Sequence, residues 1–151
     1  MACAQPAQPS RRFDEFEVGQ VFQTYRRTVT EADLVNFTQF AGLRLPIFLD
    51  DEYAKRSPHG RRIVPGLLTA SVSAGMLESV LGEHTIAGLG MDALRFKLAV
   101  HPGDTLGAYV TVTEKKATKD PTRGILTVNV QVHNQTGAVV LECSTTVLMA
   151  R

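Results

Sequence analysis

One stretch of the chain, from Pro65 to about Leu81, restricts the possible folds more than any other. Its central residues, 67–77, are apolar or small on nearly every side of a helical projection. A helix of this kind is buried over most of its surface, and a proline near the first turn is compatible with it. Its small side chains let a sheet approach closely, so Ala70 and Ala74 are expected to face backbone at short range.

The C-terminal part of the sequence reads as strands that could surround such a helix. In the run 125–133, Val128, Val130 and Val132 alternate with polar residues, which is typical of a strand with one buried face. Turn-forming residues separate four such runs, at 94–100, 105–114, 125–133 and 139–149. The pattern predicts an α+β domain in which a long buried helix packs against an antiparallel sheet.

The N-terminal half adds a short strand and further helices. Residues 21–29 have strand composition, and Thr30 then begins a capping-box-like helix start, with the helix ending at Gly42. Residues 43–62 are rich in loop-forming residues, with a short helix expected at about 51–55. We expect residues 1–10 to be a disordered tail and residues 11–151 to form a single domain.

Composition excludes several classes of protein. Of the 151 residues, 44% are hydrophobic and 21% charged, and the formal net charge is +1, so no basic face indicates nucleic-acid binding. The apolar stretch 64–81 is too short and too polar to predict a transmembrane helix. Two cysteines with no nearby histidine cluster predict neither a disulfide framework nor a metal site. With no signal-peptide-like apolar segment in residues 1–10, the expected location is the cytoplasm.

Three segments carry a family resemblance. They are residues 30–47, residues 62–71 and residues 94–106, which read TEADLVNFTQFAGLRLPI, RIVPGLLTAS and LRFKLAVHPGDTL. In order and spacing they resemble the MaoC-like proteins, the (R)-specific enoyl-CoA hydratase family, over about residues 13–149. The resemblance implies a hot-dog fold, in which a curved antiparallel sheet wraps a long buried helix.

The resemblance also implies where the chemistry of the family would be. The family pattern Gly-Asp-x-Asn-Pro-x-His-x-Asp supplies an Asp and a His that activate water for addition to a trans-2-enoyl thioester. Here the positions of the Asp and the His are Leu43 and Phe48, and the position of the Asn is Leu45. Because Leu and Phe cannot transfer protons, the chain lacks a confident catalytic residue, and these three side chains are expected to line the cleft.

Backbone features of the family site are retained where side chains are not. The family often has His-Gly before the long helix, and this chain has Pro65-Gly66, while a serine that the family can place in the helix aligns with Ala74. The resemblance implies that the Gly66 N–H holds a thioester carbonyl oxygen. Gly66, Pro65 and the three apolar positions named above are therefore the expected substrate-binding residues. The expected ligand is an acyl thioester of coenzyme A or of an acyl-carrier protein, with no other cofactor.

Two titratable residues flank this region and could replace the missing acid and base. His59 lies in the loop before Gly66, where the alternative is a solvated surface histidine. Asp50 follows the altered motif, where the alternative is a helix cap. Arg61, Arg62 and Arg95 are candidates for contacts with coenzyme A phosphates, and surface salt bridges are the alternative.

Three functions remain open on the sequence. The chain could be a subunit without the Asp/His pair that partners an active MaoC-like chain. It could be a hydratase or dehydratase, a lyase, with relocated acid and base residues. It could also be a stand-alone module that binds acyl-CoA or acyl-carrier protein. In each case we expect a homodimer or a heteromer, with no nucleic acid and no membrane among its partners.

Overall fold

The computed structural model of the chain describes residues 11–151. The tail predicted for residues 1–10 lies outside the described residues. After a short 3-10 turn, Phe13–Glu15, the order of elements is β1 (Val21–Gln23), β2 (Arg27–Thr28), α1 (Glu31–Ala41), α2 (Pro46–Leu49), α3 (Asp51–Arg56), α4 (Gly66–Leu81), β3 (Thr85–Phe96), β4 (Thr105–Ala117), β5 (Arg123–His133) and β6 (Val139–Ala150).

The strands pair antiparallel in one sheet. The strand order is β1-β4-β5-β6-β3, and β2 also pairs with β4. Short turns join β4 to β5 and β5 to β6, so consecutive strands are neighbours. The strand β3 is the exception, because it comes before β4 in the chain and lies at the far edge of the sheet, where β6 is its one partner among residues 11–151.

The core lies between α4 and the sheet. On β5, Val128, Val130 and Val132 are fully buried, as their alternation predicts, and on α4 the residues Leu68, Met76 and Leu77 meet them in the same core. The predicted helix and the predicted runs that became β4, β5 and β6 are confirmed. The described residues therefore form an α+β arrangement.

The sequence predicts that Ala70 and Ala74 of α4 both face the sheet at close range, and the structure agrees for only one of them. Ala70 is buried, whereas Ala74 is exposed. Residues Leu67, Ser71, Ala74 and Glu78, at positions i, i+4, i+7 and i+11, are all exposed and form one stripe along the helix. One sheet covers one side of a helix, so the opposite stripe of α4 is uncovered in the single chain.

The structure differs from the sequence prediction at β3 as well. This strand begins at Thr85, well before the predicted start at Leu94, and it ends at Phe96 instead of Val100. The missed part contains Gly88 and Gly90, and glycine has a low intrinsic preference for strands. This strand therefore forms because it pairs with β6, and not because its residues have a high local propensity for strands. The predicted run 21–29 is split into β1 and β2, and α2 is an additional turn of helix.

The start of α1 follows the predicted capping box. The Thr30 hydroxyl accepts a hydrogen bond from the Asp33 N–H at 3.1 Å, and the Thr30 N–H donates to the Asp33 carboxylate at 2.8 Å. The Thr30 backbone, followed by the Thr30 hydroxyl and Arg27, lowers the pKa of Asp33. Gly42 ends the helix with a φ of 68°, a left-handed conformation that suits glycine.

Across residues 11–151, none of the helices combines the length and apolar character needed to cross a bilayer.

Candidate functional site

A cavity of about 250 Å³ lies at the beginning of α4. It is bounded by the segment that precedes α4, by the first turn of α4, by the end of β3 and by the coil that follows β3. Its lining residues are His59, Ile63, Val64, Gly66, Thr69, Phe96, Lys97, Leu98, Ala99, Val100 and Val140. The lining is mostly apolar, and the two side chains in it that can carry charge are His59 and Lys97. Lys97 is paired with Glu142 at 3.0 Å.

The first turn of α4 brings backbone donors to this cavity. Pro65 is the N-cap residue, and its carbonyl oxygen accepts from Leu68 N at 2.9 Å and from Thr69 N at 3.2 Å. The Gly66 N–H belongs to the first turn, where an α-helix provides no intrahelical acceptor. A donor of this kind, at the positive end of the helix dipole, suits a carbonyl oxygen that gains negative charge.

Phe96 covers Gly66. A Cβ atom placed on Gly66 would lie only 2.7–2.8 Å from three atoms of the Phe96 ring. From the sequence, we expect that Gly66 leaves room for a ligand because it has no Cβ. In the structure, the space that a Cβ would take is already filled by this ring, so the ring explains the glycine without any ligand.

The segment that leads into α4 is held by several contacts around Arg62. Its side chain is only 17% exposed, and its guanidinium pairs with Glu31 of α1 at 2.7 Å and with Asp51 of α3 at 2.6 Å. The Glu31 hydrogen bond, followed by the one to Asp51, raises the pKa of Arg62 further. The Arg62 carbonyl lies 2.8 Å from His101 Nδ1. Arg62 therefore joins α1, α3 and the start of α4. It forms salt bridges, which was the alternative to a contact with coenzyme A phosphates.

Backbone hydrogen bonds continue this connection toward Gly66. Ile63 N donates to the Ile47 carbonyl at 3.3 Å, and Val64 N donates to the Val100 carbonyl at 2.7 Å. The first of these bonds ties the helix α2, which carries Phe48, to the segment just before Pro65. The altered motif and the first turn of α4 are thus held in a defined relation.

The structure separates the residues that the sequence predicted for the site. His59 and Gly66 line the same cavity. Asp50 instead caps α3, where its carboxylate accepts from Tyr53 N at 2.9 Å, as the structural alternative predicts. Leu43 and Phe48 are half-buried, and Leu45, also part of the altered motif, is exposed. These three side chains do not line the cavity beside Gly66 in the single chain, and their role in ligand binding stays a prediction.

Sequence reasoning missed part of the cavity wall. Phe96, Leu98 and Val100 belong to the third segment of the resemblance, to which the family pattern gives a structural role. The signal that could have identified them is the alternation of apolar residues at positions 96, 98 and 100. In the structure Phe96 and Leu98 are exposed, whereas Val100 is buried.

A second cavity, of about 530 Å³, lies along the exposed stripe of α4. Ala74 and Glu78 line it from the helix, Thr145 and Val147 from β6, and residues 85–88 from β3. It is open because β3 lies at the edge of the sheet. Among residues 11–151, no group of His, Cys, Asp and Glu side chains is arranged to hold a metal ion.

Comparison with known sequences identifies one family. A sequence model described as "MaoC like domain" matches residues 14–134. Protein MaoC of Klebsiella aerogenes is 38% identical over 103 residues, which is 68% of this chain but only 31% of that protein. The uncharacterized protein YdeM of Bacillus subtilis is 33% identical over 144 residues, covering 93% of this chain and 99% of YdeM. The chain thus spans about a third of the first relative and nearly all of the second.

Solved structures agree with the sequence comparison. The R-hydratase PhaJ1 of Pseudomonas aeruginosa, in its unliganded form, is 34% identical with a TM-score of 0.77, covering 92% of this chain and 84% of PhaJ1. A Mycobacterium tuberculosis protein described as having a double hot-dog fold superimposes on 93% of the chain with a TM-score of 0.81 at 22% identity, covering 44% of that protein. The ChsH1–ChsH2 complex of the same organism superimposes with a TM-score of 0.70 at 18% identity, covering 89% of this chain and 98% of the matched one. The expected hot-dog fold is confirmed.

Proposed function

Because the chain belongs to the MaoC-like domain family, we propose that it binds an acyl thioester and acts as a subunit without the Asp/His pair, partnering an active chain. The observation that carries this proposal is the replacement of the family's acid and base by Leu43 and Phe48 inside a retained frame. The helix start at Gly66 and the contacts that hold it to α1, α2 and α3 are all present.

The ligand proposed is a thioester of coenzyme A, with no further cofactor. Its carbonyl oxygen would accept a hydrogen bond from the Gly66 N–H, and the apolar cavity wall would contact the acyl chain. Leu43, Leu45 and Phe48 do not line this cavity in the single chain, and their side chains offer no hydrogen bond that would hold an ordered water. Pro65 supports this geometry by forming the N-cap of α4.

The partner proposed is a second MaoC-like chain that carries the Asp and the His. The free edge of β3 and the exposed stripe of α4 provide the surface for it, and one of the similar solved structures, ChsH1–ChsH2, is a complex. A homodimer is the alternative. A stand-alone acyl-CoA or carrier-protein module would use the same Gly66 site without such a partner. The cytoplasmic location stays a prediction.

A hydration assay tests the catalytic part of the proposal. The purified chain alone should not hydrate crotonyl-CoA at rates typical of a hydratase, because each general acid or base contributes about 10²–10⁴-fold. Co-expression with a MaoC-like chain that has Asp and His at the positions of Leu43 and Phe48 should give a co-purifying complex that is active. Full activity of the isolated chain would contradict the proposal. Failure of any such chain to co-purify would favour the stand-alone module.

A second function is favoured by one observation, the presence of His59 in the cavity beside Gly66. The chain would then be a hydratase or dehydratase in which His59 has taken over proton transfer. In that case His59→Ala should abolish a measurable hydration rate. Asp50→Gln, at the residue that caps α3, should leave the hydration rate nearly unchanged. No measurable rate in the parent chain removes this alternative.

A further inference from the structure

The aromatic ring of Phe96 lies at the site without belonging to the core. Phe96 is the last residue of β3, and 51% of it is exposed. A phenylalanine that served only core packing would be largely buried, as Phe16 is at 0% exposed. Phe96 instead places its ring against Gly66 while half of the residue faces solvent.

The cavity is small for the proposed ligand while the ring is in place. Its volume is about 250 Å³, whereas pockets that hold small-molecule ligands measure about 300–1,000 Å³. A thioester whose carbonyl oxygen accepts from the Gly66 N–H would lie within about 3 Å of that nitrogen. The Phe96 ring lies beside Gly66, on the side where a Cβ would point.

We infer that Phe96 is a gate, whose ring closes the approach to Gly66 and turns aside when a thioester binds. This inference rests on the proposed function for the identity of the ligand. The backbone next to the ring is anchored, because Lys97 N and Leu98 N both donate to the Val140 carbonyl, at 2.8 and 3.4 Å. The ring therefore opens by side-chain rotation, which an exposed residue performs readily.

The gate gives Gly66 a role that does not depend on the ligand. With a Cβ at position 66 the ring could not reach its closed position, so Gly66 and Phe96 form a coupled pair. A double-mutant cycle in thermal unfolding measures this coupling. Gly66→Ala should lower the Tm by about 4 °C in the parent chain. The same substitution should leave the Tm unchanged or slightly raised in a Phe96→Ala background.

Binding measurements test the gate itself. The probe is butyryl-CoA, titrated by calorimetry into the parent chain, into Phe96→Ala and into Phe96→Leu. If the ring covers the site nine-tenths of the time, its removal should tighten binding by about tenfold, since only the open fraction binds. Phe96→Leu should lie between the other two. Phe40→Ala is the matched control, because Phe40 is 92% exposed and lines neither cavity.

Each outcome decides between the two proposals. If the parent chain binds butyryl-CoA and Phe96→Ala binds it equally or more weakly, the gate is overturned and the proposed function stands. Absence of butyryl-CoA binding in every variant overturns the proposed function, and the gate with it. Binding by Phe96→Ala alone supports both. An equal loss of Tm from Gly66→Ala in the two backgrounds shows that the ring and the glycine are not coupled, and overturns the gate.

Discussion

At the scale of single residues, α4 presents small side chains to two different environments. Ala70 packs against the sheet, whereas Ala74 lies in the exposed stripe beside the second cavity. Ala70→Leu should overpack the core and destabilise the chain by about 1–3 kcal/mol. Ala74→Leu, the matched control at an exposed position of the same helix, should change the free energy of unfolding by less than about 0.5 kcal/mol in the isolated chain. Denaturant unfolding of both variants is the measurement, and equal effects would contradict the assignment of faces.

Ser73 provides a second test at the residue scale, because its buried hydroxyl has no hydrogen-bond partner among residues 11–151. An unpaired buried hydroxyl costs about 1–3 kcal/mol, so Ser73→Ala should leave stability unchanged or raise it. Thr38→Val is the contrasting variant, since the buried Thr38 hydroxyl donates to the Leu34 carbonyl at 2.9 Å. That variant should lose about 1 kcal/mol. A clear loss of stability in Ser73→Ala, measured by denaturant unfolding, would show that its hydroxyl is in fact bonded.

At the scale of elements, the start of α1 should respond to pH through Asp33. Hydrogen bonds from Thr30 lower the pKa of Asp33 below its ordinary value of 3.8. A lowered folded-state pKa adds stability that is complete above the unfolded pKa and is lost as the pH falls through the folded value. Asp33→Asn should therefore cost about 0.5–1 kcal/mol at pH 7, and this difference should shrink below pH 3.8.

Unfolding measured at pH 7 and at acid pH checks this expectation for Asp33. Glu52→Gln is the control, because Glu52 makes an exposed ion pair with Lys55 at 2.6 Å and such pairs contribute less than about 1 kcal/mol. A difference between the parent and Asp33→Asn that stays constant with pH would show that the charge of Asp33 is not what stabilises the start of α1.

At the scale of the whole molecule, the two edges of the sheet are unequal. β3 is a 12-residue edge strand with Ile86, Leu89 and Met91 exposed, whereas β1 at the opposite end has only 3 residues. A long apolar edge invites pairing with another chain, because an edge strand leaves one row of backbone groups without strand partners. Together with the open stripe of α4, this edge is the surface through which we expect the molecule to associate.

We therefore expect the isolated chain to form an oligomer, and a symmetric dimer is the commonest closed form. Sedimentation at micromolar concentration should give at least twice the single-chain mass of 16.5 kDa. Replacing both Leu89 and Met91 by Lys should shift the protein toward a monomer. The control, Val21→Lys on the exposed β1 edge, should not do so. A parent chain that sediments at the single-chain mass would contradict this expectation.

The elements that follow from local patterns could be predicted from the sequence. The capping box at Thr30, the helix that begins after Pro65 and the alternation in β5 each depend on residues close together in the chain, where propensity and periodicity act directly. The family was equally readable, since a family motif depends on which residue occupies each position, whereas the loss of the acid and base at Leu43 and Phe48 stays a prediction. These features therefore needed no coordinates.

Only the tertiary structure decided how distant segments meet. The glycine-containing half of β3 is a strand because β6 pairs with it, and Ala74 is exposed because one sheet covers one side of α4. Phe96 lies against Gly66, and Arg62 joins α1 to α3, because the fold brings these segments together from separate parts of the chain. Sequence patterns report the preferences of neighbouring residues, whereas contacts of this kind arise from packing between elements, which no local pattern encodes.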